Sequence, residues 1–230
     1  MAELILALDL PRAADALTLL DRLPELRWVK LGSILMTREG PGFVRQLTGR
    51  GLKVFLDLKW HDIPNTVAGA VTAAREIGVS MATVHTLGGA TMLEAAAVAA
   101  GTELDLVGVT VLTSHDSSAY SRAVGRREVD LPREVERQAI VAAQAGLRGV
   151  VCSPLEVSLL RRRLGPDLYI VVPGIRRRSD PSGDQSRVAT AEDASRNGAT
   201  HLVVGRPVLQ APDPAAAFEE FMKEARCGRS

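Results

Sequence analysis

Aromatic residues are scarce in this 230-residue chain: Phe, Trp and Tyr make up 3% of it. Its core therefore has to be built from Ala, Val and Leu, as in parallel sheets clad in helices. Cysteine is scarcer still. Cys152 and Cys227 are the only two, one in an apolar run and one in a polar tail, too few for a disulfide framework or a zinc site. No apolar run nears the ~18 residues that a membrane-spanning helix needs. Neither sign of charge dominates: 28 basic residues against 27 acidic leave a net charge of +1, so bulk attraction to nucleic acid is not expected. The Met-Ala-Glu start has neither the basic segment nor the apolar segment of a secretory leader. A cytoplasmic, reduced protein is expected. Two fingerprints are also missing, Gly-x-Gly-x-x-Gly at a helix start and Gly-x-Ser-x-Gly, which removes the dinucleotide and nucleophile-elbow readings.

What the chain does have is 46% hydrophobic residues, arranged as short apolar runs that alternate with helical spacings. The pattern predicts strands at Leu4–Leu10, Trp28–Gly32, Val54–Trp60, Met81–Thr86, Asp105–Leu112, Gly149–Ser153, Leu168–Pro173 and His201–Gly205. It predicts helices at Ala13–Leu23, Pro41–Arg50, Thr66–Ile77, Ala90–Ala100, Arg133–Ala145, Leu155–Leu164, Ala191–Asn197 and Pro214–Ala225. No Pro/Ser-rich linker divides them. Eight near-equal βα units predict a parallel sheet closed into a (β/α)8 TIM barrel, a single domain over residues 1–230, with an open doubly wound sheet as the alternative.

In such barrels chemistry sits at the C-terminal ends of the strands. The stretch Val54–Thr66 places charge there. Asp57 and Lys59, two apart in a strand, point to one face, while Val54, Leu56 and Leu58 turn to the helices. Ile63 precedes a proline and is held extended, which leaves Asp62 just past the strand end, close to the same mouth. Desolvating each such ion costs several kcal/mol unless partners offset it, so three in six residues point to chemistry rather than packing. Asp9, Lys30, His85, Thr113 and Ser114, Pro173 to Arg176, and Gly205-Arg206 fall at the other strand ends, whereas strand beginnings read as mostly apolar. Gly205-Arg206 suits a phosphate, since glycine lets a backbone N–H come close and arginine offers a matching fork. The polar loop from Arg176 to Arg187 suits a lid over it. Arg161–Arg163 reads as a solvated helix face. His85 is either a pocket residue or a simply hydrogen-bonded one, His61 braces the loop, and His115 and His201 read as structural. No two histidines share metal-ligand spacing with a carboxylate, so no metal is expected.

The run Asp57-x-Lys59-x-x-Asp62-Ile63-Pro64-Asn65-Thr66 resembles the signature of the orotidine 5'-phosphate decarboxylase family. The likeness extends through Ala7-Leu8-Asp9, Val29-Lys30-Leu31-Gly32, Val84-His85, Gly88-Gly89 with Met92, and Leu112-Thr113-Ser114. It continues in Pro173-Gly174-Ile175-Arg176, Gly183-Asp184-Gln185 and Gly205-Arg206-Pro207. Trp60, where phenylalanine is usual, and the arginine-rich stretch between Arg176 and Gln185 depart from the pattern.

The resemblance implies decarboxylation of orotidine 5'-monophosphate to UMP, the last step of de novo UMP synthesis, without metal or organic cofactor. It implies Lys59 as proton donor to C6, with Asp57 beside the substrate carboxylate in an alternating charge network that includes Lys30 and Asp62. Asp9 and Lys30 then hold the ribose, either Thr113 or Ser114 faces the pyrimidine, Pro173 contacts the substrate, and Arg176, Gln185, Gly205 and Arg206 hold the phosphate. It also implies a homodimer with shared sites, in which Asp62, Ile63 and Thr66 reach into the neighbouring subunit. A sugar-phosphate decarboxylase or synthase of the same barrel superfamily is the nearer alternative, but those generally use magnesium and lack Ile-Pro-Asn-Thr. A non-catalytic UMP-binding barrel is the other, though it need not keep so costly a charge set.

Overall fold

The computed structural model describes residues 2–177, 180 and 187–227. Eight parallel strands close a barrel in chain order. They are β1 (Glu3–Ala7), β2 (Trp28–Gly32), β3 (Lys53–Trp60), β4 (Met81–His85), β5 (Asp105–Val109), β6 (Gly149–Val151), β7 (Tyr169–Val172) and β8 (His201–Val204). Pairing of β1 with β8 closes the ring, which rules out the open sheet. The helices around it are α1 (Ala13–Leu20), α2 (Ser33–Glu39), α3 (Pro41–Gly49), α4 (Pro64–Glu76), α5 (Gly89–Ala100) and α6 (Ser117–Ala123). After them come α7 (Leu131–Gln144), α8 (Val157–Leu164), α9 (Ala191–Arg196), α10 (Arg206–Leu209) and α11 (Pro214–Cys227). Among the described residues no helix is long and apolar enough to cross a membrane.

Local chemistry explains the boundaries. Pro64 opens α4, where its missing N–H costs nothing. Asp130 caps α7, its carboxylate accepting from the Arg133 N–H at 3.3 Å. Gly198, at φ 103°, lets the chain leave α9 in a conformation that strains other residues. Most expected strands end one to three residues early, because the chain leaves the sheet sooner to build the rim. The short helices α2, α6 and α10 were not signalled by periodicity. They are too brief to repeat an apolar stripe, although Asp116 caps α6 by accepting from the Ala119 N–H at 2.7 Å.

Two apolar layers hold the barrel. The larger lies between strands and helices. The smaller fills the interior with Ile5, Trp28, Phe55, Met81, Val107 and Val171, all buried. Gly149 is needed there, since a Cβ would sit 2.3 Å from the Tyr169 carbonyl oxygen. Strand beginnings are not mostly apolar, contrary to expectation. Glu3, Lys53, Asp105 and His201 open four strands, because the bottom of the barrel is open to water at its edge. Lys53 lies over the Trp28 ring and Arg148 over Tyr169, at 5.2 and 4.5 Å. Burial pushes His201 down to about 4, with Lys53 adding to the shift, and it stays neutral between Trp28 and Tyr169.

Candidate active site

The C-terminal end of the barrel encloses a cavity of about 600 Å³. Asp9, Lys30, Asp57 and Lys59 form one side of it, from the ends of β1, β2 and β3. Thr113, Ser114, Pro173, Arg176, Gly205 and Arg206 supply the remaining arc. A cavity of about 660 Å³ at the opposite end of the barrel is as large, but its charged groups are spread over strand starts, at Glu3, Lys53 and Asp105, and over Arg75 of α4 and Glu103 just past α5. At the mouth, Phe55, Val109, Val151, Val171 and Val203 supply an apolar floor beneath the ions.

The four charges form an alternating line. Lys30 Nζ lies 3.2 Å from Asp9 Oδ1 and 3.5 Å from Asp57 Oδ2, and Lys59 Nζ lies 2.8 Å from Asp57 Oδ1. Asp57 and Lys30 are nearly buried, with 13% and 12% of their side chains exposed, while Lys59 reaches further out at 40%. Burial alone raises the Asp57 carboxyl, yet the two ammonium charges and the hydrogen bonds from Lys59 and Thr83 hold it below its ordinary value. Gly32 leaves the line its space. A Cβ there would stand 3.3 Å from Lys30 Nζ and 3.4 Å from Asp9 Oδ1.

Asp57 and Lys59 do share a face, but not through simple alternation. The β3–β4 register shifts between Leu56 and Trp60, and Lys59 takes φ 53°, a positive value found at no other non-glycine among the described residues. Thr83 of β4, fully buried, accepts the Lys59 N–H at 2.8 Å and donates to Asp57 Oδ1 at 3.2 Å. Sequence reasoning missed Thr83, since an inward threonine in a short strand reads as ordinary β-branched packing.

Beyond β8, Gly205 accepts from the N–H groups of Val208 and Leu209 and so opens the turn that presents Arg206. Arg176 is buried, its backbone N–H donating to Ala189 O at 3.0 Å. Arg177 does not join the cavity wall. It pairs with Asp180 and Glu220 at 3.2 and 3.0 Å. Gln185 lies outside the described residues, as do Gly183 and Asp184. Arg187 turns inward, donating to Glu156 at 2.7 Å and towards the carbonyls of Val111 and Leu112. It thus anchors the segment that leads to Thr113 and Ser114. Arg161 is no solvated face residue either: it donates to the carbonyls of Gly198, Gly165 and Leu168.

Asp62, Ile63 and Thr66 are exposed and do not line the cavity of their own chain. The Asp62 carboxylate accepts from the Ile63 N–H at 2.6 Å, and Ile63 is 67% exposed. His85 stacks on His61 at 5.5 Å and is absent from the cavity wall. Burial, with His61 and Lys59 beside it, pushes His85 down to about 4. Among the described residues no three His, Cys, Asp or Glu side chains gather as a metal-binding group.

This arrangement can be set beside known proteins. A protein from Halorhodospira halophila named orotidine 5'-phosphate decarboxylase is 51% identical, over 96% of this chain and 95% of its own. One of the same name from Opitutus terrae is 46% identical, over 97% of this chain and 98% of its own. The crystal structure of orotidine 5'-phosphate decarboxylase from Lactobacillus acidophilus superposes with a TM-score of 0.86 at 35% identity, covering 98% of this chain and 99% of that one. Residues 2–221 match the profile of the orotidine 5'-phosphate decarboxylase / HUMPS family, and the chain belongs to that family.

Proposed function

We propose that the protein, residues 1–230 acting as one barrel domain, converts orotidine 5'-monophosphate to UMP and CO2. The observation that carries this is the line Asp9, Lys30, Asp57, Lys59, an alternating set of ions preset in a half-enclosed mouth. Arg176 and Arg206 wait on another part of the same wall. Arg206 and the Gly205 turn, with Arg176 and Gln185, receive the phosphate. Asp9 and Lys30 take the ribose hydroxyls. Thr113, Ser114 and Pro173 bound the pyrimidine.

The bond between C6 and the carboxylate carbon then breaks, CO2 leaves, and the electron pair stays on C6. A proton from Lys59 Nζ moves to that carbon, and solvent restores the ammonium. Asp57 holds the Lys59 ammonium at 2.8 Å, and fixed charges favour the developing carbanion without reorganising. The exposed Asp62, Ile63 and Thr66 fit a homodimer in which each chain completes its partner's mouth. A cytoplasmic place goes with a charged, membrane-impermeant nucleotide.

The test is loss of orotidylate absorbance with stoichiometric UMP, in EDTA, and with Lys59→Ala as control. Turnover in chelator that disappears in a folded Lys59→Ala protein supports the proposal. Orotidylate left unchanged, with magnesium-dependent turnover of a sugar phosphate instead, points to the sugar-phosphate chemistry of the same superfamily. Binding of UMP without turnover points to a sensor.

A further inference from the structure

Thr83 does not line the cavity, yet it touches two groups that do. From Leu56 to Trp60, β3 takes four residue steps while β4 takes two, from Ala82 to Val84. Asp57, Leu58 and Lys59 therefore stand opposite Thr83 alone, and a regular parallel ladder cannot serve all three. The Thr83 hydroxyl fills the gap. A carboxylate only accepts, so the hydroxyl proton goes to Asp57 Oδ1, which leaves the oxygen lone pairs for the Lys59 N–H. Both contacts are made by a fully buried side chain, and a β-branched residue has little freedom to aim elsewhere.

We infer that Thr83 is a positioning residue, holding Lys59 in its left-handed backbone geometry and aiming the Asp57 carboxylate at the Lys59 ammonium. The kinetic consequence rests on the decarboxylase reading, whereas the geometric one does not. Ribose and phosphate groups come from β1, β2, β7 and β8 and leave Thr83 untouched. Losing the hydroxyl should thus disturb the chemical step more than binding.

Thr83→Val keeps shape and branching but can neither donate nor accept. Its kcat should fall about tenfold to a hundredfold, the effect of losing a hydrogen bond to a charged group, with KM within about threefold of wild type. Thr83→Ser, which keeps the hydroxyl, should stay within about threefold in both. If valine prevents folding, Thr83→Ala removes the same hydroxyl and carries the same expectation. A crystal structure of the hydroxyl-free variant should show Lys59 out of its positive φ, or its Nζ more than about 4 Å from Asp57. Wild-type kcat in that variant, an unchanged Lys59 in its structure, or a serine variant as impaired as the valine one would overturn the inference. If the wild-type protein does not decarboxylate orotidylate, the function proposal fails, and the crystal structure alone still decides the role of Thr83.

Discussion

Replacing Asp57 by asparagine removes one charge from the middle of the line and leaves both ammoniums in place. At an effective dielectric near 20, Asp57 gains about 5 kcal/mol with Lys30 at 3.5 Å and about 6 kcal/mol with Lys59 at 2.8 Å, before desolvation. The second figure shrinks by roughly half, because Lys59 is 40% exposed and water screens it. Desolvation of the ions offsets most of what remains, but removing a single partner strands the others, at about 3 kcal/mol. For a chain of this length that lowers Tm by about 6 to 12 °C. Lys30 keeps Asp9 at 3.2 Å, so the loss stays at the low end of this range.

A double-mutant cycle isolates the pair. Lys30→Met in the Asp57→Asn background should destabilise less than the two single changes added together, with a coupling of about 1.5 to 3 kcal/mol. The pH dependence gives a second handle. The folded-state carboxyl of Asp57 lies below its ordinary 3.8, so its stability contribution is complete above that pH and is lost as pH falls through the lowered value. The gap between wild type and Asp57→Asn should therefore close in acid. Urea melts from neutral pH downwards read both quantities. A zero coupling, or an asparagine variant that melts with wild type at pH 7, would refute the charge-line account.

Three further outcomes follow from other parts of the molecule. Arg206→Ala should lower kcat/KM strongly for the nucleotide and hardly at all for unphosphorylated orotidine, because binding energy on the phosphate is used to assemble the site; equal losses would mean that Arg206 does not hold phosphate. Glu134 is held down to about 2 from 4.5, chiefly by its hydrogen bond from Arg137, so its stabilisation is full above pH 4.5 and lost as pH falls towards 2. Glu134→Gln should cost about 1 to 2 kcal/mol at neutral pH, since Arg126 and Arg137 are over half exposed, and much less near pH 2 in the same melts. In the proposed dimer, co-refolding Lys59→Ala with Asp62→Ala should restore about a quarter of all sites, because about half the dimers are mixed and each has one intact mouth; no recovery in demonstrated mixed dimers would place Asp62 in its own subunit.

The barrel was legible because each βα unit repeats one pattern, a short apolar run and then a helical spacing, eight times without a linker. The rim was legible because charge is conspicuous in buried strands: Lys30, Asp57 and Lys59 lie within β2 and β3, Asp9 just past β1, and the four do meet. Contacts between strands were not legible. Nothing in Thr83 or in Arg187 marks its partner, which lies 26 or 31 positions away for Asp57 and Glu156 respectively. His85 was ambiguous for the same reason, since only the fold turns it onto His61 rather than into the cavity. The polar bottom rim was visible in the sequence, at Glu3, Lys53, Asp105 and His201, but apolar interiors dominate the count along each strand and mask it.

The shift in β3 reconciles two demands on the same residues. In a regular strand Asp57 and Lys59 would point to one face but sit about 6.6 Å apart along the chain, and the lysine would carry its ammonium out over the rim. Bending the strand brings Lys59 Nζ back to 2.8 Å from Asp57. The left-handed backbone this requires costs a non-glycine residue about 1 to 2 kcal/mol. Glycine would relieve that strain and remove the ammonium with it, so the position has to combine an unfavourable backbone with a long cationic side chain. The Asp57 contact and the Thr83 hydrogen bond both favour the bent form, and each is comparable to the strain. The bent strand end is therefore held by the same charges and the same hydroxyl that it brings together, and relaxing any one of them loosens the others.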